Sequence, residues 1–192
     1  MEKSASFWEF SVSTYRQPGV ADACLSLQDR FGCDVNVLLY CCWFAHTRGV
    51  LDEPTFSAAL SFSQPWADEV VRPLRAARTW MKTTGCLLTE VPTHDCMALR
   101  EKIKAAELAA EHLQQNALEE LTSAPPTRIL DLDTQLTNTA SNLRRYLEHC
   151  NVRLDAPSLR ELAQIVAAAI DDLDDLDERM VIEILSATFQ QS

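Results

Sequence analysis

The chain has 192 residues, of which 47% are hydrophobic and only 4 are glycine, and its net charge is −11. That length allows one domain, or one domain with an extension; scarce glycine argues against sheet-rich and phosphate-cradling folds, and plentiful Leu, Ala, Glu and Gln favour helix. Residues 1–90 carry 8 basic and 10 acidic side chains and residues 91–192 carry 9 and 18, so the acidic second half disfavours nucleic acid and anionic membranes and leaves a basic partner open.

The first residues, MEKSASFWEF, lack the basic and apolar regions of a signal peptide. The longest apolar run, Val37 to Ala45, is roughly half of the ~18–20 residues that cross a bilayer. We therefore expect no membrane span and a cytoplasmic protein. Seven cysteines form no CxxC pair, and the expectation is reduced thiols acting as small core hydrophobes.

In chain order, residues 6–16 place Phe7, Phe10 (or Ser11) and Tyr15 at about one-turn spacing and predict a short amphipathic helix. Pro18 opens a second helix, whose inward residues are Val20, Cys24, Leu27 and Phe31, and Gly32 supplies its stop. Asp34 then occupies an N-cap position before an apolar run. The helix that follows is apolar on every side, which predicts a central buried helix ending near Gly49. Pro54 starts a helix to about residue 63, and Pro65 opens another, with a kink expected near Val71 because Pro73 lies inside it. Residues 84–93 read as a connection.

From about 94 to 122, Leu99, Ile103, Ala106, Ala110, Leu113, Ala117 and Leu121 form one narrow stripe on a long polar helix. Pro125 and Pro126 break it. Ile129, Leu132, Leu136, Leu143, Leu147 and Cys150 make a second stripe. Two striped helices and a short turn predict an antiparallel hairpin. Two helices follow, at 157–170 and about 177–189. The expected fold is an all-α helical bundle with this long hairpin in its second half. We expect an aromatic-rich core in residues 1–90 and an acidic hairpin with C-terminal helices in 91–192, and the two can share one core.

Three constellations could carry function. Gln28, Asp29, Asp34 and Asn36 cluster around the turn at Gly32, with His46 at the far end of the central helix, and could bind a small ligand or simply cap backbone groups. Arg72, Arg75, Arg78 and Lys82 recur every three to four residues; this basic stripe could face solvent, dock a partner or pair with the chain's own acidic half. Asp171, Asp172 and Asp175 match the DDxxD pattern with which isoprenoid synthases hold magnesium against a diphosphate, but the match is weak: no second acidic motif accompanies them, and a solvated acidic turn between two helices is the favoured reading. The pairs His94–Cys96 and His149–Cys150 fit no zinc module. No P-loop, GxGxxG, GxSxG or HExxH is present, and no cofactor is expected.

FWEFSVSTY, PGVADACLSLQDRFGCDVNVLLYCCWFA and PWADEVVRPLRAART, spanning about residues 7–82, resemble a proteobacterial family of small helical proteins known only as a domain of unknown function. The resemblance implies a bacterial cytoplasmic helical protein and brings no activity, cofactor or site residue with it. The narrow stripes and segregated charge favour a non-enzymatic interaction or regulatory protein that docks a protein partner through helix faces. The alternative is a small-molecule binder or a magnesium-dependent enzyme.

Overall fold

The structure, a computed structural model, describes residues 5–87, 92–122, 131–170 and 178–190. Among these residues there are helices and turns and no strand, so the fold is an all-α bundle. Helix α1 (Phe7–Tyr15) starts with a reciprocal cap: Ser6 Oγ accepts from the Glu9 amide at 3.2 Å, and Glu9 accepts from the Ser6 amide at 2.9 Å. Helix α2 (Val20–Phe31) is bounded by Gly19 and Gly32, at φ +76° and +70°. Helix α3 (Val35–Arg48) is buried continuously from Asn36 to Ala45, as expected of an all-round apolar helix.

Helix α4 (Glu53–Trp66) runs straight through Pro65. No new helix starts at that proline, but the irregularity expected near Val71 is present, as a π-helical turn over Ala67–Val71 that leads into α5 (Arg72–Thr83). There the Arg72 amide reaches back to Ala67 O, five residues away. The wider turn leaves room for the Pro73 ring, which an ordinary helical turn would press against the preceding carbonyl. A short 3₁₀ turn (Gly85–Leu87) precedes α6 (Thr93–Glu120), α7 (Leu132–His149), α8 (Ala156–Ala168) and α9 (Glu178–Phe189).

The expected hairpin of the two long helices gives way to a different pairing. The main neighbour of α6 is α5, and the main neighbours of α7 are α3 and α9. The reason is visible on α6. Leu99, Leu113 and Leu121 of its expected stripe are exposed, while Cys96, Glu107, Ala110, Gln114 and Leu118 face inward. The helix is thus turned by about one residue from the apolar prediction, because polar partners on α3 and α5 claim its inner face.

One core gathers Phe7, Leu27, Leu38 and Trp43 from the first three helices and Leu143, Ile165 and Leu185 from the last three. Five cysteines are free, four of them buried; burial pushes the thiols of Cys24, Cys33 and Cys42 up to about 12, which suits their use as hydrophobes. The expectation of reduced thiols fails at Cys86 and Cys96, which form a disulfide with Cα atoms 5.4 Å apart. It sits in a small separate cluster with Met81 and Ile103. Sequence spacing gave no sign of it, because the α5–α6 packing brings the two residues together. The acidic residues Asp171, Asp172 and Asp175 lie outside the described residues.

The two glycines flanking α2 differ in surroundings, which gives a test of the packing. A Cβ at Gly19 would lie 2.2 Å from Gln164 Nε2, a group that donates to Pro18 O at 3.0 Å, whereas a Cβ at Gly32 meets nothing within 4 Å. Gly32→Ala should cost only the left-handed strain of about 1 kcal/mol. Gly19→Ala should cost about 2 kcal/mol, since the α2–α8 hydrogen bond is lost as well. Urea unfolding of the two variants measures the difference; equal costs would contradict this packing.

Candidate functional site

A cleft of about 740 Å³ opens between α1, the α2–α3 turn, the start of α5 and the middle of α6. It brings two of the sequence-derived sets together. Gln28, Asp29, Asp34 and Asn36 line it from one side and Arg72, Arg75 and Arg78 from another. His46 and Lys82 are not part of its wall. His46 instead makes a 2.8 Å hydrogen bond between Nδ1 and Gln135 Oε1.

The basic stripe is engaged by α6. Glu107, only 5% exposed, receives Arg75 Nε at 2.9 Å on one oxygen and Arg78 Nε on the other. Arg75 also reaches Glu111 at 2.5 Å and donates to Gln28 Oε1. Arg72 pairs with Asp68 and donates to Gly32 O at 3.1 Å. Of the three outcomes open to this stripe, pairing with the acidic half is the one observed for Arg75 and Arg78. Burial raises the Glu107 carboxyl, but hydrogen bonds from Arg78 and Arg75 outweigh it and hold the group below its ordinary value. Glu111 goes the other way: burial is its largest influence, Arg75 offsets it only in part, and the carboxyl is raised.

Asp34 caps α3 as expected, its Oδ1 accepting from the Asn36 amide at 2.8 Å. It does more than that. Its Oδ2 accepts from Gln114 Nε2 at 2.6 Å, Gln114 Oε1 accepts from Asn36 Nδ2 at 2.8 Å, and Asn36 Oδ1 accepts from Gln115 Nε2 at 2.7 Å. Four side chains from α3 and α6 thus form one hydrogen-bonded relay, and Tyr146 on α7 accepts from the Asp34 amide at 2.8 Å. Burial raises the Asp34 carboxyl, with hydrogen bonds from Gln114 and the Asn36 amide opposing.

The relay ends without a partner. Gln115 Oε1 is buried and accepts no hydrogen bond, and neither does Ser11 Oγ find a partner across the cleft; the two residues are 4% and 3% exposed and both line the cleft. Both atoms have almost no accessible surface, so they lie behind the wall of the cleft rather than open to it. Sequence reading passed over Ser11, Glu107, Glu111, Gln114 and Gln115. One signal was available: Glu107 and Glu111, four apart, complement Arg75 and Arg78, three apart. Among the described residues, no group of three or more His, Cys, Asp or Glu is placed to hold a metal ion, and no helix is long and apolar enough to cross a membrane.

Residues 6–118 match a family described as a protein of unknown function, DUF2390. No curated protein and no solved structure matches the chain. The match continues past residue 90, where the sequence suggested a boundary, and takes in every residue of the cleft wall.

Glu107→Gln leaves both arginines without their shared carboxylate. At neutral pH it should destabilise the protein by about 2 kcal/mol, less than the roughly 3–5 kcal/mol of a fully buried pair because the arginines are partly exposed. Since the folded-state pKa is depressed, the contribution is full above the ordinary carboxylate value and fades as pH falls through the lowered one. Wild-type and variant stabilities should therefore converge in acid, and a constant gap between neutral pH and about pH 3 would refute the ion-pair assignment.

Proposed function

We propose that this chain, which belongs to the DUF2390 family of proteins of unknown function, binds a small organic molecule in the cleft between α1 and the α5–α6 pair. One observation carries the reading: a cavity of about 740 Å³ whose wall combines apolar side chains with the carboxylates of Asp34, Glu107 and Glu111 and the guanidinium groups of Arg72, Arg75 and Arg78. That volume falls in the ~300–1,000 Å³ range of ligand sites, which typically combine apolar walls with a few placed polar groups. Tyr15, Leu25 and Leu108 support it, being exposed large side chains that also line the cleft.

Binding without turnover is the reading we favour, because the cleft's carboxylates already serve other groups. Asp34 is held by Gln114 and the Asn36 amide, and Glu107 and Glu111 by arginine. The charge of −11 argues against phosphate-backbone partners. A second reading, docking of a protein partner on α6, is supported by Leu99 and Leu113, 53% and 59% exposed on that helix. Light scattering tests it for self-association: a dimer abolished by Leu113→Lys supports docking, and a monomer that Leu113→Lys leaves unchanged speaks against it.

The cleft is tested by blocking it. Ala76 is exposed and lines the wall, so Ala76→Trp should fill the cleft without disturbing the core. In a thermal-shift screen of small polar organic compounds, ligands should raise the wild-type melting temperature by about 3–6 °C at about ten times their Kd. Those shifts should vanish in Ala76→Trp. Compounds that stabilise both proteins equally, or a library that stabilises neither, would remove the proposal.

A further inference from the structure

The α5–α6 pair is fastened at two places. At its middle, Glu107 and Glu111 hold Arg75 and Arg78. At its tip, the disulfide joins Cys86, in the 3₁₀ turn Gly85–Leu87, to Cys96, in the first turn of α6. In chain order, Thr79 and Lys104 of the cleft wall fall between the two fastenings.

The disulfide stands apart from the rest of the fold. Its apolar neighbours are Met81 and the half-buried Ile103, a cluster separate from the main core, so breaking the bond leaves that core intact. The two cysteines are 10 apart in sequence, and a short closed loop constrains the unfolded chain less than a long one. Cys96 also has a favourable place for a thiolate, because the first turn of a helix offers free backbone amides and the positive end of the dipole. The unpaired thiols differ. Cys24, Cys33, Cys41 and Cys42 are buried in the main core, and burial raises all four, which keeps them protonated and unreactive. Burial raises Cys150 as well. Thiol chemistry is thereby directed to one pair.

We propose that Cys86–Cys96 is a reversible redox bond, which a dithiol reductant opens in the folded protein to free the tip of the α5–α6 pair while the ion pairs hold its middle. A thiolate of the reductant bonds to Cys86 Sγ. The S–S bond breaks, and its electron pair leaves with Cys96 Sγ, which takes a proton from water. The reductant's second thiolate attacks the mixed disulfide, and Cys86 Sγ leaves and is protonated in turn. Two electrons have passed to the protein and the reductant has become a disulfide; the oxidised reagent runs the exchange backward. The cleft wall is fixed in the oxidised state and loosened in the reduced one. This goes beyond the small-molecule reading and needs no ligand to be true.

Counting thiols tests the bond. Folded protein is equilibrated with oxidised glutathione or with dithiothreitol, quenched in acid, unfolded and alkylated, and the labels are counted by mass spectrometry. The count should go from five to seven, with circular dichroism unchanged before the quench. Trp80, whose ring covers Gly85 beside Cys86, should brighten on reduction, and Trp80→Phe should remove that change. Hydrogen exchange tests the loosening: amides of residues 79–83 and 97–104 should exchange about tenfold faster in the reduced protein, while those of α2, α3 and α8 keep their rates. Cys86→Ser/Cys96→Ser should exchange as the reduced protein does and ignore dithiothreitol. Seven labels after oxidised glutathione overturn the proposal, as do five labels after dithiothreitol acts on folded protein. Equal exchange in the two redox states overturns it too. None of these results bears on whether compounds distinguish wild type from Ala76→Trp, so the cleft reading is judged separately.

Discussion

The inner face of α6 is polar, and most of what sets this protein apart follows from satisfying it. Glu107, Gln114 and Gln115 are each at most 5% exposed, and a buried carboxylate or amide is tolerated only with partners in place. Arg75 and Arg78 supply them on α5, and Asp34 and Asn36 on α3. The helix is held on two sides by directional bonds, which specify its rotation more narrowly than apolar contact does. This holds the two walls apart at a fixed spacing, and the space between them is the cleft.

The same constraint explains where sequence reasoning succeeded and where it stopped. Helix α3 was legible because burial all round leaves a signature that needs no knowledge of its neighbours: apolar residues at every position from Val37 to Ala45, a capping Asp34 and a terminal Gly49. Gly32 and the arginine periodicity of α5 are likewise local signals. Helix α6 misled because hydrophobic periodicity counts only apolar residues. Its leucines at 99, 113 and 121 align into a plausible stripe, yet the face that is buried is the one carrying Glu107 and Gln114. A buried polar face is invisible until its partners are known, and those partners lie about 30 residues away for Arg78 and about 80 for Asp34.

Residues of the candidate site divide on the same line. Asp34 and Asn36 attracted attention as helix-start residues, and Arg75 and Arg78 as a stripe; each was noticed for local reasons, and only the fold places them around one cavity. His46 was grouped with Asp34 because both flank α3, but a 14-residue helix separates its ends by about 20 Å. Proximity in sequence misplaced it. Spacing offered Ser11 only as an alternative to Phe10 on the face of α1, and Gln115 carried no signal, since a glutamine on a helix is ordinarily a solvated residue. The disulfide between Cys86 and Cys96 escaped for the converse reason: it depends on how α5 and α6 dock, and compartment arguments about cysteine address the chain as a whole rather than one pair.

A relay of three amides anchored on a carboxylate is costly to bury, and its cost bears on function. A core of the same volume could have been filled with leucine and alanine, with no unsatisfied atom at its end and no dependence on the charge of Asp34. Helix capping accounts for Asp34 and for the backbone amide of Asn36, but it requires neither Gln114 nor Gln115. The ion pairs to Glu107 already fasten α6 to α5, so fastening does not require them either. What the two glutamines add is a chain of hydrogen bonds that runs from Asp34 along one wall of a partly apolar cleft and holds that wall in one arrangement. Polar groups that capping and fastening do not require, placed along the wall of a cavity, are the expected form of a recognition element. That distinction separates a binding cleft from a packing defect.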